Sequence, residues 1–399
     1  MINKILFFLF LLFLPTQLGK HFFLPFSYLS GVRVDYLSPT VYLTDIIVFL
    51  LAIINLKIVL KFFKNKKIIT GLLLLLINVL FSKLPMISFY WFVKIIELLI
   101  VFSLTKKMLA TLKERSILVT LLFSGLFELF LAIAQLTNKH SIQGVFYYFG
   151  ERLLSLSTPG VAKAAIQGVE FLRPYGTFSH PNSLAGFFLL LYFFVLTYKK
   201  FNRYLALKYL FIFISSILVF VSFSKVAIIS YLILNTSYFI LNTKIDCRLC
   251  KIARIIVMFV VSLIFLSATS DPLTIDKRIE LMKNSLNIIV HNPIFGVGLG
   301  SYLIEQAKFP SKFYLFFNQP VHNIFLLFVS EVGLVLSGFL LYKLISQLIK
   351  RRLTKDQWMM IFVIIFTGFF DHYWLTLEQN FLLMGLVMGA ILYHDVSVG

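Results

Sequence analysis

The stretch NSLAGFFLLLYFFVLTY, residues 182–198, decides the fold class of this chain. It contains no charged side chain, and Lys199 and Lys200 follow it directly. A helix that crosses a bilayer needs about 20 mostly apolar residues, and cationic side chains collect at its cytoplasmic end. The stretch therefore predicts a transmembrane helix whose C-terminal end faces the cytoplasm.

Apolar runs of this kind occur along the whole chain. Of its 399 residues, 59% are apolar and 14% are charged, whereas soluble proteins have about 45–50% and about 25%. We expect an all-α polytopic membrane protein with about twelve transmembrane helices, which excludes a soluble enzyme and a disordered chain. The runs lie at residues 5–18, 41–60, 68–82, 88–104, 117–137, 182–198, 205–222, 226–242, 252–269, 323–342, 358–370 and 379–394. The first run is alternatively a cleaved signal peptide.

The formal charge of +20 is a topology signal. With the N-terminus in the cytoplasm, the loops predicted inside contain the basic clusters at 57–67, 106–115, 199–208, 244–254 and 343–355. Because Lys and Arg collect in cytoplasmic loops, nucleic-acid binding is not needed to explain the charge. We expect a cytoplasmic-membrane protein with both termini inside.

Two segments predicted on the outer face, 138–181 and 270–321, are too long for simple turns. In the second, apolar residues recur at helical spacing between Ile275 and Ile289. They predict an amphipathic helix that either lies on the membrane surface or packs on the bundle. The two segments divide one membrane domain into the transmembrane parts 1–137, 182–269 and 322–399.

Polar residues are scarce, and several cluster where a predicted helix begins on the outer face. RPYGTFSHPNSLA, residues 173–185, precedes one such helix, and Ser224-Lys225 and His322-Asn323 precede two others. Helix N-termini carry partial positive charge and free N–H groups, so they bind anions. Together they predict a site for an anionic head group such as a diphosphate, with Arg173, Lys225, Arg278 and His180 as donors.

Three glutamates, Glu97, Glu128 and Glu331, lie within predicted helices. An ionisable group at the centre of a membrane helix costs about 2.5–3.5 kcal/mol, which makes it a functional candidate by default. The alternative is a structural partner such as Lys94. Glu331 lies about 2.5 turns from His322, on the opposite helix face, so the two cannot share a proton directly.

His322 is a candidate general base because an imidazole with a pKa near 6.5 accepts a proton at neutral pH. The alternative is an interfacial histidine that is merely hydrogen-bonded. We expect the turn Asp371-His372-Tyr373-Trp374 to be mostly structural, and the glycines of 296–300 to serve tight turns.

Four of these motifs follow one another in a fixed order: 173–185, then Ser224-Lys225, then HNPIFGVGLG at 291–300, and HNIFL followed by EVGL between 322 and 334. In this order they resemble the conserved core of the O-antigen ligase and polymerase superfamily. Lys225 stands where that family commonly has Arg. The charge is retained, but the planar fork that binds a phosphate in bidentate fashion is lost.

The resemblance implies an enzyme that transfers a glycan from a polyprenyl-diphosphate carrier to an acceptor hydroxyl on the outer face of the cytoplasmic membrane. It implies a fold related to C-type membrane glycosyltransferases and catalysis without a metal or other cofactor. Carried over by motif, Arg173, Lys225 and Arg278 bind the diphosphate and His322 is the base. We expect Asn182, Asn323 and Glu331 to support these residues.

The acceptor stays open between a glycolipid, a growing glycan and a protein hydroxyl. Alternative functions are a polysaccharide polymerase of the same superfamily, a polyprenyl-glycan flippase or transporter, and a structural membrane protein. A transporter needs a polar path at the bilayer midplane. Here the polar residues concentrate on the outer face, which favours an enzyme.

Overall fold

The computed structural model describes residues 2–241, 248–269, 273–310, 312–313 and 318–392. Helices make up most of this part of the chain. Cys247 and His394 lie outside the described residues.

The helices are bounded as follows. The first nine are α1 Ile2–Phe13, α2 Leu43–Ile54, α3 Leu56–Phe63, α4 Lys66–Leu80, α5 Pro85–Thr111, α6 Glu114–Asn138, α7 Val145–Tyr148, α8 Pro181–Thr197 and α9 Leu205–Val221. The others are α10 Lys225–Leu241, α11 Arg248–Leu266, α12 Thr274–His291, α13 Tyr302–Gln306, α14 Ile324–Val332, α15 Leu334–Lys350, α16 Lys355–Gly368, α17 Tyr373–Thr376 and α18 Glu378–Leu392.

Short antiparallel strand pairs occur in the loops. β1 Gly19–His21 pairs with β4 Thr40–Tyr42, β2 Tyr28–Leu29 with β3 Val32–Arg33, and β5 Lys163–Ile166 with β6 Val169–Leu172. The last hairpin ends one residue before Arg173, so it leads the chain into the first polar motif.

Each predicted apolar run coincides with one or two helices. Within the described part of the chain, four helices are long and apolar enough to cross a membrane, or five if a bent pair is counted as one span. The bent pair is α2 and α3, which meet at 90°. The predicted run 323–342 is also divided, at Gly333, which has a φ of 88°. The fold is therefore mostly helical, while the number of twelve spans stays a prediction.

α8 lies at the centre of the main core. From Leu184 to Val195 its side chains are buried on every face, and it packs against α9, α10, α16 and α18. A helix that is apolar all round belongs in the interior of a bundle. The stretch that indicates a membrane protein is thus surrounded by other helices.

Contacts between loops join segments that the sequence predicts on the outer face. The side chain of Gln17 donates to Ser179 Oγ at 2.6 Å, and Lys83 N donates to the Val297 carbonyl at 2.9 Å. Arg152 forms an ion pair with Asp35. Both long segments therefore contribute to one surface. The side of the membrane that this surface faces stays a prediction.

The amphipathic helix predicted in the second segment is α12, which ends at His291 as expected. It packs on α14, where Ser285 Oγ and Ser330 Oγ are 2.9 Å apart. Its Ile275 and Leu286 side chains are exposed. The helix therefore packs on the bundle, and it also presents an apolar face outward.

Candidate functional site

The loop that precedes α8 is held in place by two polar side chains of α6. Gln135 Oε1 accepts hydrogen bonds from the N–H groups of Tyr175 and Gly176, at 2.9 and 2.8 Å. Glu128 accepts from the N–H and the hydroxyl of Thr177, at 3.0 and 2.6 Å. These bonds fix the loop, so Glu128 has the structural partner that the sequence left open.

His180 caps the N-terminus of α8. Its Nδ1 accepts the N–H of Asn182 at 3.1 Å, and Pro181 occupies the first helical position. Proline suits this position because its missing N–H would have no partner in the helix. The cap fixes the start of α8 and directs the Asn182 side chain toward the loops.

A chain of hydrogen bonds joins Arg173 to the turn after α16. Arg173 Nε donates to the Ser222 carbonyl at 2.9 Å, and its Nη2 donates to Asn182 Oδ1 at 2.7 Å. Asn182 Nδ2 in turn donates to Asp371 Oδ2 at 2.8 Å. Asn182 thus links Arg173 to Asp371. Its predicted supporting role in the site stays a prediction.

His322 lies against the same turn. Its ring centroid is 5.2 Å from that of His372, and the two rings meet edge to face. His322 Nδ1 is buried without a hydrogen-bond partner among the described residues. The next residue, Asn323, caps α14 with its side-chain oxygen and donates to the Phe369 carbonyl at 3.1 Å. Asn323 therefore holds the start of α14 beside the end of α16.

Arg278 faces this cluster from α12. It interacts electrostatically with Arg173, His322 and Asp371. Its Nε is buried and has no hydrogen-bond partner among the described residues. Two guanidinium groups thus converge on a region where Asp371 is the nearby carboxylate, which leaves excess positive charge for an anion.

The pKa shifts follow from burial and from these charges. Burial is the main reason that the pKa values of His322 and His180 are lowered to about 3, and the neighbouring Arg278 contributes to this shift. Burial also lowers the pKa of Arg173 to about 10. Burial opposes ionisation of Asp371, but its interactions with His322, His372, His180 and Arg278 outweigh burial and hold its pKa well below its usual range. At neutral pH the cluster therefore combines neutral imidazoles, an anionic carboxylate and guanidinium cations.

The side chains of the cluster differ in their exposure to solvent. Arg173, His180, Arg278 and His322 are only partly buried, whereas Asp371 and His372 are buried beneath them. The partly exposed side chains can therefore contact a ligand, and the buried pair can orient them.

Lys225 lies beside this cluster. It is the first residue of α10, three positions after the Ser222 carbonyl that Arg173 binds, and its side chain is exposed. In the described part of the chain, the structure shows no bond between its ammonium group and the Arg173–Asp371 network. Its role in binding the diphosphate stays a prediction.

Glu331 holds the backbone at the start of α13, and its predicted support of the site residues stays a prediction. It accepts the backbone N–H groups of Gly300 and Tyr302. The loop 293–298 packs on the break between α14 and α15, where Leu334 N donates to the Pro293 carbonyl at 2.7 Å. Gly296, Gly298 and Gly300 all have positive φ. The glycines of this motif thus serve tight turns.

A small apolar cavity of about 70 Å³ lies next to the buried pair. Trp91, Leu303 and Glu331 line it, together with Thr376, whose Oγ1 is 2.7 Å from His372 Nδ1. Tyr36 also lines it and meets the His372 ring at a centroid distance of 5.5 Å. The first outer loop therefore contributes an aromatic side chain to the site.

Two side-chain groups in the described residues have a spacing that could hold a metal ion. They are His322 with Asp371 and His372, and Asp45 with Glu97 and Glu378; within each group the candidate ligand atoms lie within 4.8 Å of one another. The first group belongs to the candidate site. Measuring activity with and without a chelator therefore tests the prediction of catalysis without a metal.

Residues 175–342 match the O-antigen ligase family. This match confirms the family that the four motifs predict. No curated protein and no solved structure matches the chain. The O-antigen ligase segment contains His180, Asn182, Lys225, Arg278 and His322. Arg173 lies just before it, and Asp371 and His372 lie beyond it.

The sequence predicts Arg173, His180, Asn182, Arg278 and His322, and the fold brings all five together. Asp371 and His372 were expected to be mostly structural, but they lie at the centre of the cluster. An acidic residue next to a histidine in a short polar turn was their only signal. Nothing in the sequence places that turn against His322.

Proposed function

We propose that this protein transfers an oligosaccharide or polysaccharide from a polyprenyl-diphosphate carrier to an acceptor hydroxyl on the outer face of the cytoplasmic membrane. The observation that carries the proposal is the convergence of Arg173, Arg278 and His322 at one end of the bundle. Two guanidinium groups suit a diphosphate, and an imidazole beside them suits the removal of one proton. The O-antigen ligase match supports the reaction class.

In the proposed reaction, the acceptor oxygen attacks the anomeric carbon of the donor glycan. The bond between this carbon and the diphosphate oxygen breaks, and the diphosphate leaves with the electron pair. The acceptor proton passes to His322, and no protein nucleophile is required. A single displacement inverts the configuration at the anomeric carbon.

The environment of His322 suits a base that works beside a diphosphate. Burial keeps the imidazole neutral at neutral pH, so its free Nδ1 can accept a proton. A bound diphosphate adds negative charge and raises the pKa of His322, which strengthens it as a base when substrate is present. Asp371 stabilises the imidazolium that forms. Arg173 and Arg278 stabilise the departing charge, with Lys225 and His180 as further donors.

The test is transfer in vitro from a defined polyprenyl-diphosphate glycan to a panel containing a glycolipid, a free glycan and a serine peptide. We expect His322→Ala to lower turnover by about 10²–10⁴-fold, and Arg173→Ala by roughly 10–100-fold. His291→Ala and Arg115→Ala are matched controls, because both side chains are exposed. Full activity of the His322 variant would remove it as the base.

The same assay separates the alternatives. A lengthened glycan that stays on its polyprenyl carrier indicates a polymerase, whereas a glycan on a different acceptor indicates a ligase. Movement of the donor across proteoliposomes without a new glycosidic bond indicates a flippase. Activity should survive a chelator, and its loss with recovery on adding one metal would contradict metal-independent catalysis.

A further inference from the structure

A second, larger cavity lies against α12, the helix that also contains Arg278. It has a volume of about 370 Å³, which is within the range of roughly 300–1,000 Å³ for small-molecule sites. Its walls come from the turn between β2 and β3, from α12, and from the chain that follows α13. Leu303 lines both this cavity and the smaller one beside His372. The two cavities therefore share a wall residue.

The larger cavity has an unsatisfied hydrogen-bond donor in its wall. Asn284 is 7% exposed, and its Nδ2 has no partner among the described residues. Leaving a buried amide donor unpaired costs about 1–3 kcal/mol. A ligand oxygen in the cavity would satisfy this donor.

The rest of the lining is neutral and mixed. Ser30 and Asn318 add a hydroxyl and an amide, and Phe309 adds an aromatic ring. Lys308 also lines the cavity, but its ammonium is 2.7 Å from Glu305 Oε2. A phosphate would find no net positive charge in this set. Amide groups that both donate and accept, next to an apolar ring, suit the hydroxyls and the C–H face of a sugar.

The position of the cavity relative to Arg278 and His322 also suits a sugar. Asn284 lies six residues after Arg278 on the same helix, about 9 Å along its axis. A glycan that reacts near Arg278 and His322 must extend away from them. A cavity at that distance lies where a following sugar unit would be.

We propose that this cavity, lined by Asn284, Asn318, Ser30 and Phe309, binds one sugar unit of the glycan. Glycan transfer, the proposed function, would supply the biological ligand. The sugar could belong to the donor or to the acceptor, and the recognition chemistry is the same for both. Asn284 is then a specificity residue outside the reacting cluster.

Binding is tested without transfer, by saturation-transfer NMR on the purified protein. The probes are the methyl glycosides of glucose, galactose and N-acetylglucosamine. We expect at least one to bind, and Asn284→Ala to weaken its affinity by about fivefold or more. Asn287→Ala is the matched control, since Asn287 lies on the same helix with its side chain exposed.

Asn318→Ala, on another wall, gives a second reading and should weaken binding as well. The Asn318 substitution leaves α12 intact. Its effect on sugar affinity is therefore the deciding measurement if the Asn284 variant melts at a lower temperature. Unchanged affinity in both variants, or no binding of any of the three glycosides to the wild type, would overturn the proposal.

Kinetics then assign the sugar to its source. A raised KM for the donor glycan in Asn284→Ala, with kcat retained, assigns the cavity to the donor. A raised KM for the acceptor assigns it to the acceptor. Sugar binding that persists in a protein without transferase activity would refute the proposed function but leave this inference standing.

Discussion

At the scale of the residue, Asp371 has the widest set of interactions in the candidate site. Its Oδ2 accepts from Asn182 and its Oδ1 from the N–H of His372, each at 2.8 Å. It also interacts electrostatically with His322 and Arg278. The buried Asp371 carboxylate thus orients Arg173 through Asn182, and it also stabilises His322, the proposed base.

The first prediction concerns Asp371→Asn, which keeps the shape but removes the charge. The carboxylate raises the pKa of His322, so its loss lowers that pKa. We expect turnover to fall by about tenfold or more, and the acid limb of the pH–rate profile to move to lower pH. Asp356→Asn, at the start of α16, is the control.

A lower rate with an unmoved acid limb would mean that Asp371 acts only by holding Asn182 and the turn. The profile of the Asn182→Ala variant shows what that purely structural effect looks like. Comparing the two variants therefore distinguishes the effect of the Asp371 charge on His322 from the effect of its hydrogen bond to Asn182.

At the scale of the element, the approach to α8 depends on a glycine. Gly176 has a φ of 58°, and a Cβ added there would collide with the Glu128 carboxylate. The sequence RPYGTFSHPNS therefore takes its bend only with glycine at this position. The bend directs Arg173 toward Ser222 and His180 toward the helix start.

The second prediction is that Gly176→Ala lowers the free energy of unfolding by about 1–3 kcal/mol, because the loop must shift away from Glu128. Transfer activity should fall with it, since Arg173 lies on the same loop. The melting temperature of the purified protein measures the first effect. Gly338→Ala in α15 is the control, as no atom lies within 4 Å of its added Cβ.

A Gly176→Ala protein with unchanged melting temperature and activity would show that the loop accommodates the methyl group. The contacts of Glu128 and Gln135 would then not determine the position of Arg173.

At the scale of the whole molecule, the bundle contains a buried ion cluster that joins distant parts of the chain. Lys94 Nζ lies 2.6 Å from Asp45, 3.2 Å from Glu97 and 3.1 Å from Glu378. These residues come from α2, α5 and α18, and the Lys94 side chain is 3% exposed. Lys94, which the sequence suggests as a glutamate partner, thus pairs with Glu97.

The third prediction is that Lys94→Met destabilises the fold by about 3–5 kcal/mol, because it leaves buried carboxylates without their cation. Adding Glu97→Gln and Glu378→Gln should restore part of the loss, since both remove uncompensated charge. Melting temperatures of the single and triple variants are the measurement. Lys83→Met, at an exposed position, should have no effect. Equal stability of Lys94→Met and wild type would contradict a structural role.

The sequence by itself determined the helical membrane class, the positions of the apolar runs and the resemblance of residues 175–342 to the O-antigen ligase family. These follow from local composition and from motifs whose residues are close together in the chain. It also determined five of the residues that meet in the candidate site, because each precedes or lies on a helix and carries a scarce polar group. The breaks at Asn55 and Gly333 were not predicted, since both occur inside apolar runs.

Only the tertiary structure decided which turns meet. Asp371 lies nearly fifty residues after His322 in the chain, and its turn reaches the site because α16 returns to the same end of the bundle. Tyr36 of the first loop also reaches the site only through the fold. The cavity beside Asn284 likewise forms only when distant loops pack together. Apolar periodicity specifies that a helix is buried, but it carries no information about which polar loop will lie next to another. That choice depends on how helices pack around α8, and packing is a property of the whole chain.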